Sequence, residues 1–179
     1  MDEPSPDLLE AASRISLAVG RDRLVVIGGL AAFLLGVERY TADVDLASDL
    51  QPEEIMSKLG AAGLPATLRR GGEGDPLPWV VVTESGGVPA QILPAHAIGA
   101  DAGAPTALEE YGVRLVSVEG FIRSKCYAGG HQDVLDVAIL TLRYPELAPL
   151  AETEARRLGV HELLALWRND KRILARYRK

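Results

Sequence analysis

Residues 28–46 read GGLAAFLLGVERYTADVDL, and this stretch decides the reading of the chain. Gly28 and Gly29 close an apolar run, Leu24, Val25, Val26 and Ile27, which predicts a buried strand over residues 23–28. A short helix is expected over residues 30–36 and a second strand over residues 43–47. Alternation along that strand sends Asp43 and Asp45 to one face and Val44 and Leu46 to the other. Two carboxylates side by side repel each other and disfavour a core strand. A divalent cation removes the conflict, and a few carboxylates with a nucleotide's phosphates are a usual way to hold Mg²⁺. The glycines supply the complementary part. Backbone without Cβ approaches a phosphate closely, and a helix starting there aims free N–H groups at the anion. The plain alternative is a glycine turn followed by solvated loop aspartates.

Glycine pair, short helix and paired aspartates together resemble the nucleotidyltransferase fold of the DNA polymerase β superfamily. With Arg39-x-Thr41-x-Asp43-x-Asp45 added, the pattern is most similar to the small bacterial branch that includes AbiEii-type toxins. The resemblance covers residues 22–145. It implies an α+β fold with an α/β core, a mixed twisted sheet flanked by helices. It also implies Mg²⁺ (or Mn²⁺) held by Asp43 and Asp45, which align the α-phosphate and help deprotonate the acceptor. Gly28 and Gly29 would lie at the β- and γ-phosphates, with Arg39 and Thr41 also in contact with the nucleotide. The implied substrate is an NTP and the acceptor an RNA (a tRNA among them) or a protein hydroxyl, with an antitoxin protein as partner.

In the resemblance a third carboxylate from a neighbouring hairpin strand completes the metal site. The corresponding stretch, Ala90-Gln91-Ile92-Leu93, carries neutral Gln91, which weakens the case for a second cation. If Gly86-Gly87 is a two-residue turn, Val82 pairs with Gln91 and Glu84 with Pro89, so Glu84 lies diagonal to Gln91 on the same face. Gln91 or Glu84 is therefore the candidate third ligand, although a strand-end glutamate is ordinarily just exposed. Downstream, Lys125 followed by Gln132-Asp133-x-x-Asp136 resembles a Lys…Asp-x-x-Asp signature of the same branch. It implies that Lys125 assists catalysis at the triphosphate and that Asp133 and Asp136 bind the nucleotide, such an Asp pairing with the Lys or lying near the active site. Against this stand two plain readings, a solvated helix lysine and an aspartate that stabilises a helix start. Gln91 also supports a rival, a degenerate module that binds nucleotide or partner without turnover. A third possibility, transfer to a small molecule of the aminoglycoside kind, has no acceptor-pocket signature.

At 179 residues, 47% hydrophobic and 25% charged, the chain has ordinary globular composition and fits one core with a helical appendage, which excludes intrinsic disorder. A single cysteine, Cys126, excludes an internal disulfide framework and reads as a small buried residue. His96, His131 and His161 are scattered without zinc-site spacing. An acidic start without an apolar stretch, and no run of membrane-spanning length, predict a cytoplasmic chain with no membrane partner. The net charge of −6 hides an asymmetry: residues 1–110 carry 7 basic against 17 acidic side chains, and residues 111–179 carry 12 against 8. The last twelve residues hold Arg168, Lys171, Arg172, Arg176, Arg178 and Lys179. Two readings fit them, a polyanion-binding end or basic residues that favour a helix C-terminus.

Along the chain, helices are expected over residues 6–19 and 52–62, a strand over 66–70, and a hairpin over 79–85 and 88–94. Residues 95–110 read as loop with a turn or two of helix, and 113–118 as a strand. Helices follow over 119–128 and 132–144, with one or two more from residue 147. Strands and helices first and helices last predict a core over residues 1–145 and a C-terminal helical extension, residues 146–179, packed on it. Trp79 and Trp167 read as core anchors.

Overall fold

The computed structural model describes residues 6–177. Arg178 and Lys179 of the basic end, and the acidic residues at positions 2 and 3, lie outside the described residues. The fold is α+β: a mixed seven-stranded sheet flanked by helices, with helices alone at the C-terminal end. Helix α1, Pro6–Val19, buries Leu8, Leu9, Ala12, Ile15 and Val19, the apolar stripe its sequence predicts. Strand β1 is Leu24–Val26, helix α2 Gly28–Leu34 and strand β2 Val44–Ser48. Helix α3, Pro52–Ala61, begins with Pro52 and the acidic Glu53 and Glu54, all favourable in a first turn. Strand β3 (Ala66–Arg70) is followed by the hairpin β4 (Trp79–Ser85) and β5 (Val88–Pro94). The turn residues Gly86 and Gly87 have φ of 61° and 82°, the two left-handed positions that a two-residue hairpin needs.

The chain then runs through α4 (Ala95–Ile98), β6 (Thr106–Leu108) and β7 (Val113–Leu115). Helix α5 (Val118–Ala128) is capped by Ser117, whose hydroxyl accepts the Gly120 N–H at 2.9 Å. Helix α6 is His131–Arg143, and after a 3-10 turn come α7 (Ala148–Arg157), α8 (His161–Arg168) and α9 (Lys171–Tyr177). The sheet order is β3-β4-β5-β2-β1-β7-β6. Strand β2 runs antiparallel to β1 and parallel to β5, and β1 runs parallel to β7. Helices α1 and α3 pack together on the sheet, α5 packs on α2, α4 and α6, and α7, α8 and α9 rest on α5 and α6.

Four expectations need correction. Asp43 precedes β2 instead of opening it. The last rung is Val44↔Ala90, and the next residue of β5 is Pro89, which has no N–H to offer. Helix α2 runs Gly28–Leu34, two residues early at both ends, and Gly28 itself takes up a φ of 65° that few other residues tolerate. Strand β6, in the stretch read as loop, is short and largely exposed, so it lacks an apolar pattern. The C-terminal end holds three helices, not one or two; each is short, and Gly159 with φ of 77° breaks the first from the second. Trp79 is buried and Trp167 packs partly buried against the core, as core anchors. Among the described residues no helix is long and apolar enough to cross a membrane.

Candidate functional site

The two glycines and the acids they precede are pressed together. A Cβ on Gly28 would lie 2.1 Å from Asp45 Oδ2 and 2.7 Å from its Cβ. A Cβ on Gly29 would lie 2.6 Å from Thr41 Oγ1 and 3.4 Å from Arg39 Cζ. Glycine is therefore required at both positions for the chain to fold back on itself, whatever else its bare backbone serves. Thr41 Oγ1 donates to Asp43 Oδ1 at 2.8 Å, which orients that carboxylate. Strand alternation turns Val44 and Leu46 into the core, fully buried, and Asp45 to the other face, where it shares a cleft with Asp43 from the bend before β2, both half-buried. Burial, and then the Asp43 carboxylate, push the Asp45 carboxyl up to about 6 from an ordinary 3.8, against the opposing pull of Lys125 and Arg39. Two acids so placed are a poor arrangement for a bare protein and a good one for a cation.

Beside this pair lies a second cluster of different character. Lys125 Nζ is 2.8 Å from Asp133 Oδ1 and 2.9 Å from Asp136 Oδ2. Arg39 donates to the same Asp136 oxygen at 2.7 Å, and Gln132, one helical turn away, donates to Asp136 Oδ1 at 2.9 Å. Asp136 is fully buried and Lys125 is only 4% exposed. Lys125 is thus no solvated helix lysine, and removing it would leave a buried carboxylate short of a partner. A stability loss, and not only a loss of activity, is the expected result of Lys125→Ala. Asp136, expected either at the nucleotide or paired with the lysine, does not line the cleft and is paired with Lys125. Its oxygens are taken by Arg39, Lys125 and Gln132, so it holds the two cations in place from behind. Asp133 does line the cleft. The Arg39–Asp136 link spans 97 positions and has no signature in the sequence.

Gln91 pairs with Asp45 across the parallel β2–β5 ladder, so it stands in the register expected of the third ligand. Val82↔Gln91 and Glu84↔Pro89 also pair as the turn geometry predicts. Both Gln91 and Glu84 are exposed, and neither lines the cleft. Among the described residues no three His, Cys, Asp or Glu side chains gather as a metal cage. His131 instead packs edge-on against Trp167, ring centroids 6.3 Å apart. Cys126 is a buried free thiol that burial pushes up to about 11, an inert core residue.

The cleft has a volume of about 420 Å³ and is open to solvent, within the range of small-molecule sites. It gathers Gly28, Gly29, Arg39, Thr41, Asp43 and Asp45 with Lys125 and Asp133. Residues missed by sequence reasoning complete it, above all Leu77 from the β3–β4 loop and Tyr127 from α5. A glycine-rich loop announces only flexibility, and an isolated tyrosine nothing at all.

No protein-family model matches the chain, and no curated protein sequence matches it. Among solved structures it is similar to the nucleotidyltransferase ANT(2")-Ia in complex with adenylyl-2"-tobramycin, at 19% identity and TM-score 0.45, over 87% of this chain and 93% of that one. It is similar to JHP933 from Helicobacter pylori at 15% identity and TM-score 0.41, over 99% and 100% of the two chains. A tRNA nucleotidyltransferase complexed with a primer tRNA and an incoming ATP analog shares 14% identity at TM-score 0.38, over 92% of this chain and 60% of that one. Likenesses of this size leave the chemistry to the chain's own residues.

Proposed function

We propose that the cleft transfers a nucleotide from an NTP to an RNA or protein acceptor, as the toxin of a toxin–antitoxin pair acting in the cytoplasm. One observation carries the transfer reading: two carboxylates converge on an open cleft, one raised to about 6 by burial and by the other, beside two cations held by one buried partner, Asp136. Asp43 and Asp45 would hold Mg²⁺ (or Mn²⁺), which when bound neutralises phosphate charge and polarises the phosphorus centre. The carboxylate pair is also the group nearest to hand for taking the acceptor hydroxyl's proton. Lys125 has three N–H donors and spends two on Asp133 and Asp136, which leaves one for a phosphate oxygen. Arg39 keeps guanidinium donors beyond the one on Asp136 for the same purpose, and the first N–H groups of α2 at Gly28 and Gly29 have no partner within the helix. Positioning and charge neutralisation of this kind account for most of the catalysis in phosphoryl-type transfers.

The resemblance of the Arg39-x-Thr41-x-Asp43-x-Asp45 pattern supports the toxin assignment and the antitoxin partner. A second reading, a binding module without turnover, is favoured by one observation, the exposed neutral Gln91 at the register position beside Asp45. The test is to incubate the protein with NTPs labelled at the α-phosphate, Mg²⁺, and total RNA or cell lysate. Label entering RNA or protein, and lost in Asp43→Asn and Asp45→Asn, is the expected result. Nucleotide binding without any labelled product would favour the binding module. Label on a small molecule would move the acceptor to that class.

A further inference from the structure

The cleft has two unlike halves. One is the polar half already described. The other is built from Pro76, Leu77, Leu93, Ile98, Tyr127 and Ala128. Its outer wall is the β3–β4 loop, which is folded back and tied down. The Gly71 N–H donates to the Pro78 carbonyl at 3.0 Å, and Asp75 Oδ1 accepts the Leu77 N–H at 2.9 Å. The Tyr127 hydroxyl donates to the Pro76 carbonyl at 2.8 Å and so fastens the loop to α5. These bonds leave the loop with little to offer a polar ligand. Pro76 and Pro78 have no N–H, the Leu77 N–H is taken, and the carbonyls of Pro76 and Pro78 are both occupied. Nearby, the Ser124 hydroxyl is spent on the Phe121 carbonyl at 3.0 Å. The half is predominantly apolar surface whose loop wall, at Pro76 and Leu77, has no free N–H and keeps only acceptor oxygens such as the Leu77 carbonyl, adjoining a half rich in charge.

We infer that this apolar half seats the nucleobase of the NTP by surface contact alone, with the β3–β4 loop as its wall and Tyr127 as the latch that positions that wall. This rests on the nucleotide reading of the polar half. A flat aromatic base is the one part of an NTP that gains from an apolar seat, and the cations next door account for the phosphates. A seat whose loop wall aims no N–H donor at base edges and buries no polar group that a base must satisfy cannot reject a wrong base strongly, because strong rejection comes from buried polar groups left unpaired. Base selectivity is accordingly low.

The test titrates the whole protein with ATP, CTP, GTP, UTP and inorganic tripolyphosphate, each with Mg²⁺. Leu77→Asn and Tyr127→Phe are compared with the parent chain. Leu77 is half-buried on a surface loop and Asn is uncharged, so the variant folds and does not repel phosphate. The four NTPs bind the parent within a few-fold of one another. Leu77→Asn weakens all four about tenfold, the worth of a buried leucine contact, and leaves tripolyphosphate unchanged. Tyr127→Phe gives a smaller loss of the same pattern. Equal weakening of tripolyphosphate, no weakening of any ligand, or a preference of about a hundredfold for one base would overturn the seat. Tripolyphosphate binding by the parent chain would leave the phosphate half standing in those cases. Failure of every ligand to bind the parent would instead bring down the nucleotide reading and the seat with it.

Discussion

Two groups of charges share one cleft, and they are built on opposite terms. Lys125, Arg39, Asp133 and Asp136 form a balanced cluster whose centre is shut away from water, with each oxygen of Asp136 matched to a donor. Asp43 and Asp45 form an unbalanced pair, half-open to solvent, with burial and mutual repulsion pushing one carboxyl up to about 6. The first cluster is internally paired without a ligand and does structural work, with donors of Lys125 and Arg39 left over for phosphate. The second is incomplete and gains from a cation. The first cluster carries most of the stability and the second holds the cation on which the chemistry turns.

Mutations should separate the two. Asp136→Ala strips Lys125 and Arg39 of their shared partner and leaves a buried ammonium underpaired, so urea unfolding should report a loss of about 3–5 kcal/mol. If it reported less than 1 kcal/mol, the cluster would not be the structural element described. Gly28→Ala comes next. It forces a side chain to a φ of 65° and drives a methyl into Asp45, at a cost of about 2–4 kcal/mol by the same measurement.

Asp45→Asn should act in the opposite direction and stabilise the metal-free protein by about 1–3 kcal/mol at pH 8, since it removes a carboxylate held above its ordinary range. The sign follows from proton uptake. Between about 4 and 6 the folded chain holds a proton at Asp45 that the unfolded chain has released, so this group favours folding at low pH. Its contribution is lost as pH rises towards 6 and is level above that. The stability of Asp45→Asn should lack that slope when unfolding is followed from pH 4.5 to 8, and an unchanged slope would mean that another group titrates. The smallest effect is expected from Arg176→Ala, whose bond to Glu38 at 2.7 Å lies on the surface. Its thermal midpoint should not move measurably. If the basic end meets RNA, the same variant weakens RNA binding and flattens its salt dependence.

The acid pair was legible in the sequence because its signal is local. Asp43, Asp45 and the glycines lie within eighteen positions; strand alternation decides which way Asp45 faces, and Asp43, one residue before the strand, is oriented by the neighbouring Thr41. The hairpin was legible for the same reason: Gly86-Gly87 between apolar runs sets the register down to Val82↔Gln91. The balanced cluster was legible only in part. Lys125 and Asp133 stand eight apart, close enough to be noticed, but the burial of Lys125 depends on the packing of α6 over α5, which no spacing reports. Arg39 joins Asp136 from 97 positions away, and Leu77 reaches the cleft from a loop whose composition says only that it bends. Long-range juxtaposition of polar groups is set by topology, and a single sequence carries no record of it.

Whether the unbalanced pair is a cation site completed by nucleotide is decided by the thermal midpoint at pH 8 with Mn²⁺ alone, ATP alone and both together. A small shift with either and a larger-than-additive shift with both is expected for the parent chain, because two carboxylates without a third hold a cation weakly until phosphate joins them. Asp45→Asn should lose the synergy while keeping its higher starting midpoint. A full shift with Mn²⁺ alone, or the same synergy in Asp45→Asn, would mean that the pair is not a cation site completed by nucleotide.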